Sequence, residues 1–139
     1  MEYCKEGNNA FIRLDRGEDL FSNIILVAKK ENWPSAHISG IGLLEKIELG
    51  LYNRVKKAYE SNYFPEPSEL LNLSGNLTWN DKEYFLHLHA ILANREYKCY
   101  GGHIIAATVG HTCEISVDIF QKKINRELLG TTNFYQLSF

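Results

Sequence analysis

The stretch Phe85-Leu86-His87-Leu88-His89-Ala90 decides how the rest of this 139-residue chain is interpreted. Its apolar and polar residues alternate, which is typical of a β-strand with one face in the core. Leu86 and Leu88 are expected to face the core. His87 and His89 then leave the opposite face together, with their side chains roughly 6 to 7 Å apart. The stretch therefore predicts a strand that presents two imidazoles side by side.

The residues that follow this strand predict a hairpin. Asn94-Arg95-Glu96 indicates a turn, and a further strand is expected from Tyr97 to Ile105. If Arg95 lies at the centre of the turn, His87 faces His103 across the hairpin, because directly opposed residues share a face of the sheet. We therefore predict that three imidazoles converge on one face.

Three imidazoles on one face are typical ligands of an open zinc site. Zinc binds imidazole nitrogen at about 2.0 to 2.1 Å, and three protein ligands leave a fourth tetrahedral position free. Gly101 and Gly102 fit such a site, because they leave room for a metal-bound water or ligand. Other divalent ions also bind imidazole, so we predict a divalent-metal site with zinc as the first choice. The alternative is that these histidines are ordinary residues of a half-exposed strand.

The remaining sequence predicts one helix and several strands. A capping arrangement in residues 15–18 is expected to start the helix, which ends near Lys30 because Pro34 forbids its continuation. Strands are predicted in these segments: Ala10–Leu14, Ala36–Tyr52 (one bent strand or two, with Gly40 and Gly42 at a bulge), Ala58–Phe64, Glu69–Thr78, Tyr84–Ala93, Tyr97–Ile105 and Thr112–Phe120. This order favours a largely antiparallel sheet packed by a helix.

Length and composition indicate a single domain. The chain is 45% hydrophobic and has no Pro-, Gly- or Ser-rich linker. We expect one domain over residues 1–139, with a core of about residues 10–120 and a C-terminal tail, residues 121–139, whose aromatic end packs on the body or on a neighbouring subunit. No apolar run reaches the roughly 20 residues that cross a bilayer, and no signal peptide is recognisable, so we expect a cytoplasmic protein that does not bind membranes.

Cysteine usage and charge narrow the candidate functions. Cys4, Cys99 and Cys113 are far apart, which favours reduced, buried thiols over disulfides. The chain has 15 Lys and Arg against 17 Asp and Glu, for a net charge of −2. The basic residues are scattered and form no stripe, so the charge pattern does not favour nucleic-acid binding.

Seven motifs, in this order, resemble the PPC domain, which is conserved between plants and prokaryotes. They are Arg13-Leu14 with Gly17-Glu18-Asp19-Leu20, Ser39-Gly40-Ile41-Gly42, Glu48-Leu49-Gly50, Glu69-Leu70-Leu71-Asn72-Leu73-Ser74-Gly75-Asn76, His87-Leu88-His89-Ala90, Gly101-Gly102-His103 and Thr112-Cys113-Glu114-Ile115. The resemblance covers about Arg13 to Phe120. It implies an α/β (α+β) fold with a mixed, largely antiparallel sheet beside a helix, assembled as a homotrimer.

The same resemblance bears on function. It implies that His87, His89 and His103 are metal ligands. It also carries a DNA-binding label, because plant members place the domain behind AT-hook segments. The Arg-Gly-Arg-Pro motif of those hooks does not occur in this sequence. DNA is therefore an expected partner only because of the family resemblance.

The sequence is compatible with three functional hypotheses. The first is a regulatory or interaction module, a metal-stabilised homotrimer that binds a partner. The second is a zinc-dependent metalloenzyme of hydrolase type, in which Glu69 or Glu114 is the base for a metal-bound water. The competing interpretations are an ion pair between Glu69 and Arg13, and a solvated or subunit-contacting position for Glu114. The third hypothesis is a metal held only for assembly, at or near a subunit interface.

Overall fold

The computed structural model describes residues 1–130 and 134–139. This part of the chain forms one helix, α1 (Leu20–Glu31), and one nine-stranded sheet. The strands are β1 (Glu2–Glu6), β2 (Asn9–Asp15), β3 (Ser35–Asn53), β4 (Ala58–Phe64), β5 (Ser68–Asn80), β6 (Glu83–Ala93), β7 (Cys99–Phe120), β8 (Asn125–Leu128) and β9 (Tyr135–Ser138).

Four strands of this sheet pair in a closed ring. β3 pairs with β5, β5 with β6, β6 with β7, and β7 with β3, each pair antiparallel. β1 and β2 extend the sheet beyond β7, while β4 pairs with β3. The short strand β8 runs parallel to β5. The sheet is therefore mixed and largely antiparallel, as the sequence indicated.

The core lies between α1 and the apolar face of the ring. Period-two alternation in β5 and β6 buries Leu73, Leu77 and Leu88 completely. The helix contributes Leu20, Ile24, Val27 and Ala28 from one side of its surface. Burying these apolar side chains is the main favourable term in folding, and it commits the opposite face of β6, including its histidines, to the outside of the core.

The start of the helix differs from the sequence prediction. Residues 15–18 form a turn instead of a cap, because Gly17 adopts a left-handed backbone with φ of 85°. Asp19 is the N-cap, and its side chain accepts a hydrogen bond of 2.7 Å from the backbone N–H of Ser22. The helix ends one residue beyond the predicted Lys30.

Strand β7 is continuous, whereas the sequence predicted two strands, Tyr97–Ile105 and Thr112–Phe120. The intervening residues 106–111 continue the strand. The pairing of β7 with β3 is irregular here. It shifts register at three places between Gly42 and Leu49 of β3, and at the first of them residues 110–112 of β7 lie opposite Leu43 alone. The predicted bulge at Gly40 and Gly42 is confirmed, since the pairing of β3 with β5 shifts register there.

The two ends of the chain form strands that the sequence did not predict. β1 pairs with β2 before the expected core, and β8 pairs with β9 within the C-terminal tail. In that tail the ring of Phe134 lies 4.4 Å from that of Tyr52, and the ring of Tyr135 lies 6.3 Å from that of Phe85. Phe139 is 85% exposed. Two of the three terminal aromatics therefore pack on the body.

The three cysteines are reduced, and they differ in exposure. Cys4, Cys99 and Cys113 are free thiols, but only Cys113 of the three is buried. Burial raises the pKa of Cys113 to about 12, so this thiol stays protonated and unreactive. No helix in residues 1–130 and 134–139 has the length and apolar character needed to span a bilayer.

Candidate metal centre

The structure brings the three predicted histidines into one cluster. His87 and His89 come from β6 and His103 comes from β7, and one ring nitrogen from each lies within 4.8 Å of the others. Nε2 of His87 and Nε2 of His89 are 3.3 Å apart. Two nitrogens bound tetrahedrally at the zinc–imidazole distance would be separated by roughly 3.3 Å. The spacing of this pair therefore suits a shared ion.

The register of the hairpin differs from the prediction by two residues. His89, not His87, lies opposite His103, and His87 lies opposite Asn76 of β5. The connection is longer than expected because Asn94 organises it: its side-chain oxygen accepts hydrogen bonds from the backbone N–H groups of Glu96 and Lys98, both at 3.0 Å. A shift of two residues preserves the face on which each side chain lies, so the cluster forms despite the wrong register.

The electrostatics of the cluster favour neutral imidazoles. Burial lowers the pKa of His87 to about 4, and the positive charge of Arg126 and the neighbouring histidines act in the same direction. Burial, followed by the effect of His89, also lowers the pKa of His103. A histidine must be neutral to bind a metal, so these two are ready to act as ligands near neutral pH.

One ring nitrogen of the cluster lacks a partner. Nδ1 of His103 is buried and makes no hydrogen bond within the described part of the chain. A buried polar atom without a partner is costly, and native proteins usually satisfy such atoms with protein, water or an ion. The three-histidine donor set, the short His87–His89 spacing and this unsatisfied atom together fit a bound divalent metal.

A pocket of about 360 Å³ opens beside the cluster. Its lining is mostly aromatic and apolar, with two of the histidines and one arginine: Tyr59, Phe85, His87, His103, Ile105, Arg126, Phe134 and Tyr135. Arg126 was not predicted from the sequence. It lies in the tail, far in sequence from the hairpin, and only the pairing of β8 with β5 brings it here.

The guanidinium of Arg126 is fixed by three neutral acceptors. Nε donates to Oγ1 of Thr78 at 2.9 Å, Nη1 to the carbonyl of Tyr135 at 3.1 Å, and Nη2 to Oδ1 of Asn76 at 2.8 Å. The same Nη2 lies 3.5 Å from Nδ1 of His87, at the outer limit of a hydrogen bond. The group also lies 4.7 Å from the centroid of the Phe85 ring.

The predicted acidic residues lie elsewhere. Glu69 and Glu114 line a separate pocket with Gly42 and Thr112, and neither lines the histidine pocket. The predicted ion pair between Glu69 and Arg13 is not formed. Arg13 instead pairs with Glu2 at 3.3 Å and with Asp15 at 3.1 Å, because β2 places it beside β1.

The glycines before His103 lie where backbones approach closely. A Cβ on Gly101 would lie 2.3 Å from the carbonyl oxygen of Ala90, and one on Gly102 would lie 3.1 Å from the carbonyl oxygen of Gly50. Gly101 is needed because β6 and β7 approach closely, which in turn holds His89 and His103 together.

This chain is similar to a known protein family and to several solved structures. A family model described as the Plants and Prokaryotes Conserved (PCC) domain matches residues 1–121. A metal-containing protein from Archaeoglobus fulgidus is similar in structure, with 32% identity, a TM-score of 0.87, and coverage of 97% of this chain and 96% of that one. No curated protein sequence matches this chain.

Two further solved structures are similar over nearly the whole chain. A plant- and prokaryote-conserved (PPC) protein from Pyrococcus horikoshii has 30% identity and a TM-score of 0.83, covering 94% of this chain and 92% of its own. A candidate DNA-binding protein from Bacteroides thetaiotaomicron has 25% identity and a TM-score of 0.94, covering 99% of this chain and 96% of its own.

Proposed function

This chain belongs to the Plants and Prokaryotes Conserved (PCC) domain family, and from that premise we propose that it is a metal-binding regulatory or interaction module. His87, His89 and His103 hold one divalent ion, most readily zinc. The observation that carries this proposal is the convergence of three imidazole nitrogens within 4.8 Å. The similar protein from Archaeoglobus fulgidus, described as metal-containing, supports it.

Zinc suits the donor set for chemical reasons. Imidazole nitrogen is a preferred zinc ligand, and a site with three protein ligands retains one open position at which the ion acts as a Lewis acid toward a bound ligand. The chain itself contributes the ligands and the aromatic pocket beside them. Nickel, copper and iron also bind imidazole, so the ion taken up depends on supply as well as affinity.

Metal binding can be tested by titrating zinc into chelator-treated protein and following the heat of binding. We expect one ion per chain in the wild type. His89→Ala removes one of three ligands and should weaken binding by more than the roughly 10- to 100-fold that loss of an outer-shell partner costs. His37→Ala is the matched control, since His37 lies near Asp118 and outside the cluster. Equal affinity in wild type and His89→Ala would contradict the proposal.

The partner of the module is a separate question, and DNA is the first one to test. A similar solved structure is that of a candidate DNA-binding protein. Against this, the chain carries a net charge of −2, whereas DNA binding normally relies on clustered Lys and Arg. A gel-shift titration at physiological salt tests this. Binding at micromolar protein would support DNA as the partner, and no shift would exclude DNA.

The hydrolase alternative requires a carboxylate base beside the histidines. Glu69 and Glu114 do not line the histidine pocket, and no described carboxylate does. We therefore favour the binding module, and we further propose that it works as a cytoplasmic homotrimer. The three free cysteines suit a reducing compartment.

A further inference from the structure

Arg126 is a feature of the histidine pocket that the metal site does not explain. The residue is only 9% exposed, yet it lines the pocket together with His87 and His103. Buried charges in proteins are normally paired with an opposite charge or bound to an ion. The acceptors of Arg126 are instead a hydroxyl, a carbonyl and an amide oxygen.

The pocket offers no counter-charge for this guanidinium. Within the described residues no Asp or Glu forms an ion pair with Arg126 and none lines the pocket. An imidazole is neutral when it binds a metal, so a divalent ion would add two further positive charges without compensation. An anion that enters the pocket would meet complementary charge from both groups.

The hydrogen-bonding capacity of Arg126 is only partly used. A guanidinium has five N–H groups, and the acceptors from Thr78, Tyr135 and Asn76 take one each on Nε, Nη1 and Nη2. Counting acceptors from residues 1–130 and 134–139, one N–H therefore remains on each terminal nitrogen. The 3.5 Å contact to Nδ1 of His87 does not compete when metal is bound, because ligation through Nε2 places the ring proton on Nδ1. The two remaining N–H groups suit the two oxygens of a carboxylate.

The rest of the lining sets the shape of the guest. The rings of Tyr59, Phe85, Phe134 and Tyr135 surround the space, and Ile105 completes the apolar wall. A volume of about 360 Å³ holds a small organic molecule. Strongly hydrated inorganic anions gain little from such walls, whereas an anion with an apolar body loses water from its apolar surface.

We propose that this pocket binds a small organic carboxylate, whose charged group lies between Arg126 and the metal ion and whose apolar body contacts the aromatic walls. The inference rests on the proposed metal site and names the class of ligand that site recognises. A purely structural Arg126, tying β8 to β5 through Thr78 and Asn76, is the alternative. That role predicts lower stability on substitution but no change in ligand affinity.

The test uses protein loaded with cobalt(II), whose visible absorption reports its coordination. Benzoate is the probe and benzamide is its neutral counterpart of similar shape. We expect benzoate to change the cobalt spectrum of the wild type with saturation, and benzamide to bind at least tenfold more weakly. Arg126→Gln should weaken benzoate binding at least tenfold at unchanged cobalt content. The benzoate affinity of Arg126→Lys should lie between those of the wild type and Arg126→Gln. Arg95→Gln, at an exposed loop arginine, should match the wild type.

The outcomes separate this inference from the metal site. Failure to take up cobalt would overturn the metal site and the carboxylate pocket with it. Stoichiometric cobalt with no spectral response to benzoate, or with equal responses to benzoate and benzamide, would overturn the carboxylate pocket alone. The benzoate–benzamide comparison uses the wild type, so it decides the question even if Arg126→Gln does not fold.

Discussion

At the scale of single residues, the histidine pocket combines three histidines, whose proximity can be predicted from the sequence, with Arg126, whose proximity cannot. Alternation along β6 is enough to predict that His87 and His89 share a face. Pairing across the hairpin predicts that His103 lies on the same face. Arg126 could not be predicted in the same way. It reaches the cluster only through the parallel pairing of β8 with β5, and a non-local contact of that kind leaves no periodic signal in the sequence.

The lowered pKa of His87 predicts how the metal-free protein responds to acid. Its pKa is about 4 in the folded protein against an ordinary value of 6.5, so the unfolded chain binds more protons between these pH values. The free energy of unfolding should therefore fall as the pH drops from about 6.5 towards 4. Urea denaturation in the presence of a chelator, at several pH values, measures this slope.

One variant assigns that slope to its source. His87→Gln removes the titrating group and should reduce the pH dependence. The same slope in His87→Gln and in the wild type would show that the environment of His87 does not lower its pKa.

At the scale of elements, the predicted strand bounds were most accurate where a turn or a proline marks the end of the strand in the sequence. β4 has the predicted bounds, Ala58–Phe64, because a turn precedes it and Pro65 follows it. β7 was divided wrongly, since its pairing with β3 shifts register around residues 110–112 without ending the strand. Strand ends are marked by the local sequence, whereas the continuity of a strand across an irregular pairing depends on its partner strand.

The close approach of β6 and β7 makes Gly101 sensitive to substitution. Gly101→Ala would place a Cβ 2.3 Å from the carbonyl oxygen of Ala90, so the strands must separate. We expect a loss of about 1 to 3 kcal/mol in the free energy of unfolding, together with weaker zinc binding because His103 moves with the strand. Gly102→Ala meets its nearest atom at 3.1 Å and should cost less. Denaturant titrations that rank the two variants in the opposite order would contradict this role.

The N-cap of α1 contributes to stability without contributing to the metal site. Asp19→Ala removes the 2.7 Å bond to the backbone N–H of Ser22 and should cost about 1 kcal/mol in the free energy of unfolding. Asp19→Asn retains an acceptor and should cost much less. Zinc affinity should stay the same in both variants, because α1 carries none of the three histidines. A Tm for Asp19→Ala equal to that of the wild type would exclude the cap.

At the scale of the whole molecule, the sheet leaves apolar side chains outside the core. Ile41, Leu71 and Ile91 are each about half exposed. Exposed apolar side chains can mark a surface that another subunit covers, and these support the proposed homotrimer. The fold class and the helix–sheet arrangement could be predicted from periodicity and from the family resemblance. Assembly depends on surface complementarity between chains, which no pattern within one sequence specifies.

Size-exclusion chromatography with light scattering measures the assembly. We expect a mass three times that of the 16.0 kDa chain. The trimer should persist after chelation, because one chain supplies all three histidines from adjacent strands. Dissociation on metal removal would instead favour a metal held for assembly, and a monomer in both states would contradict the trimer.

The central claim, that His87, His89 and His103 hold a metal ion, is tested most directly by elemental analysis of tag-free protein purified without chelators. We expect about one divalent ion per chain in the wild type, with zinc predominant, and loss of that ion in His87→Ala and His103→Ala. His37→Ala should retain it. Wild-type protein that is folded but free of metal, and that stays so after incubation with zinc, would contradict the claim.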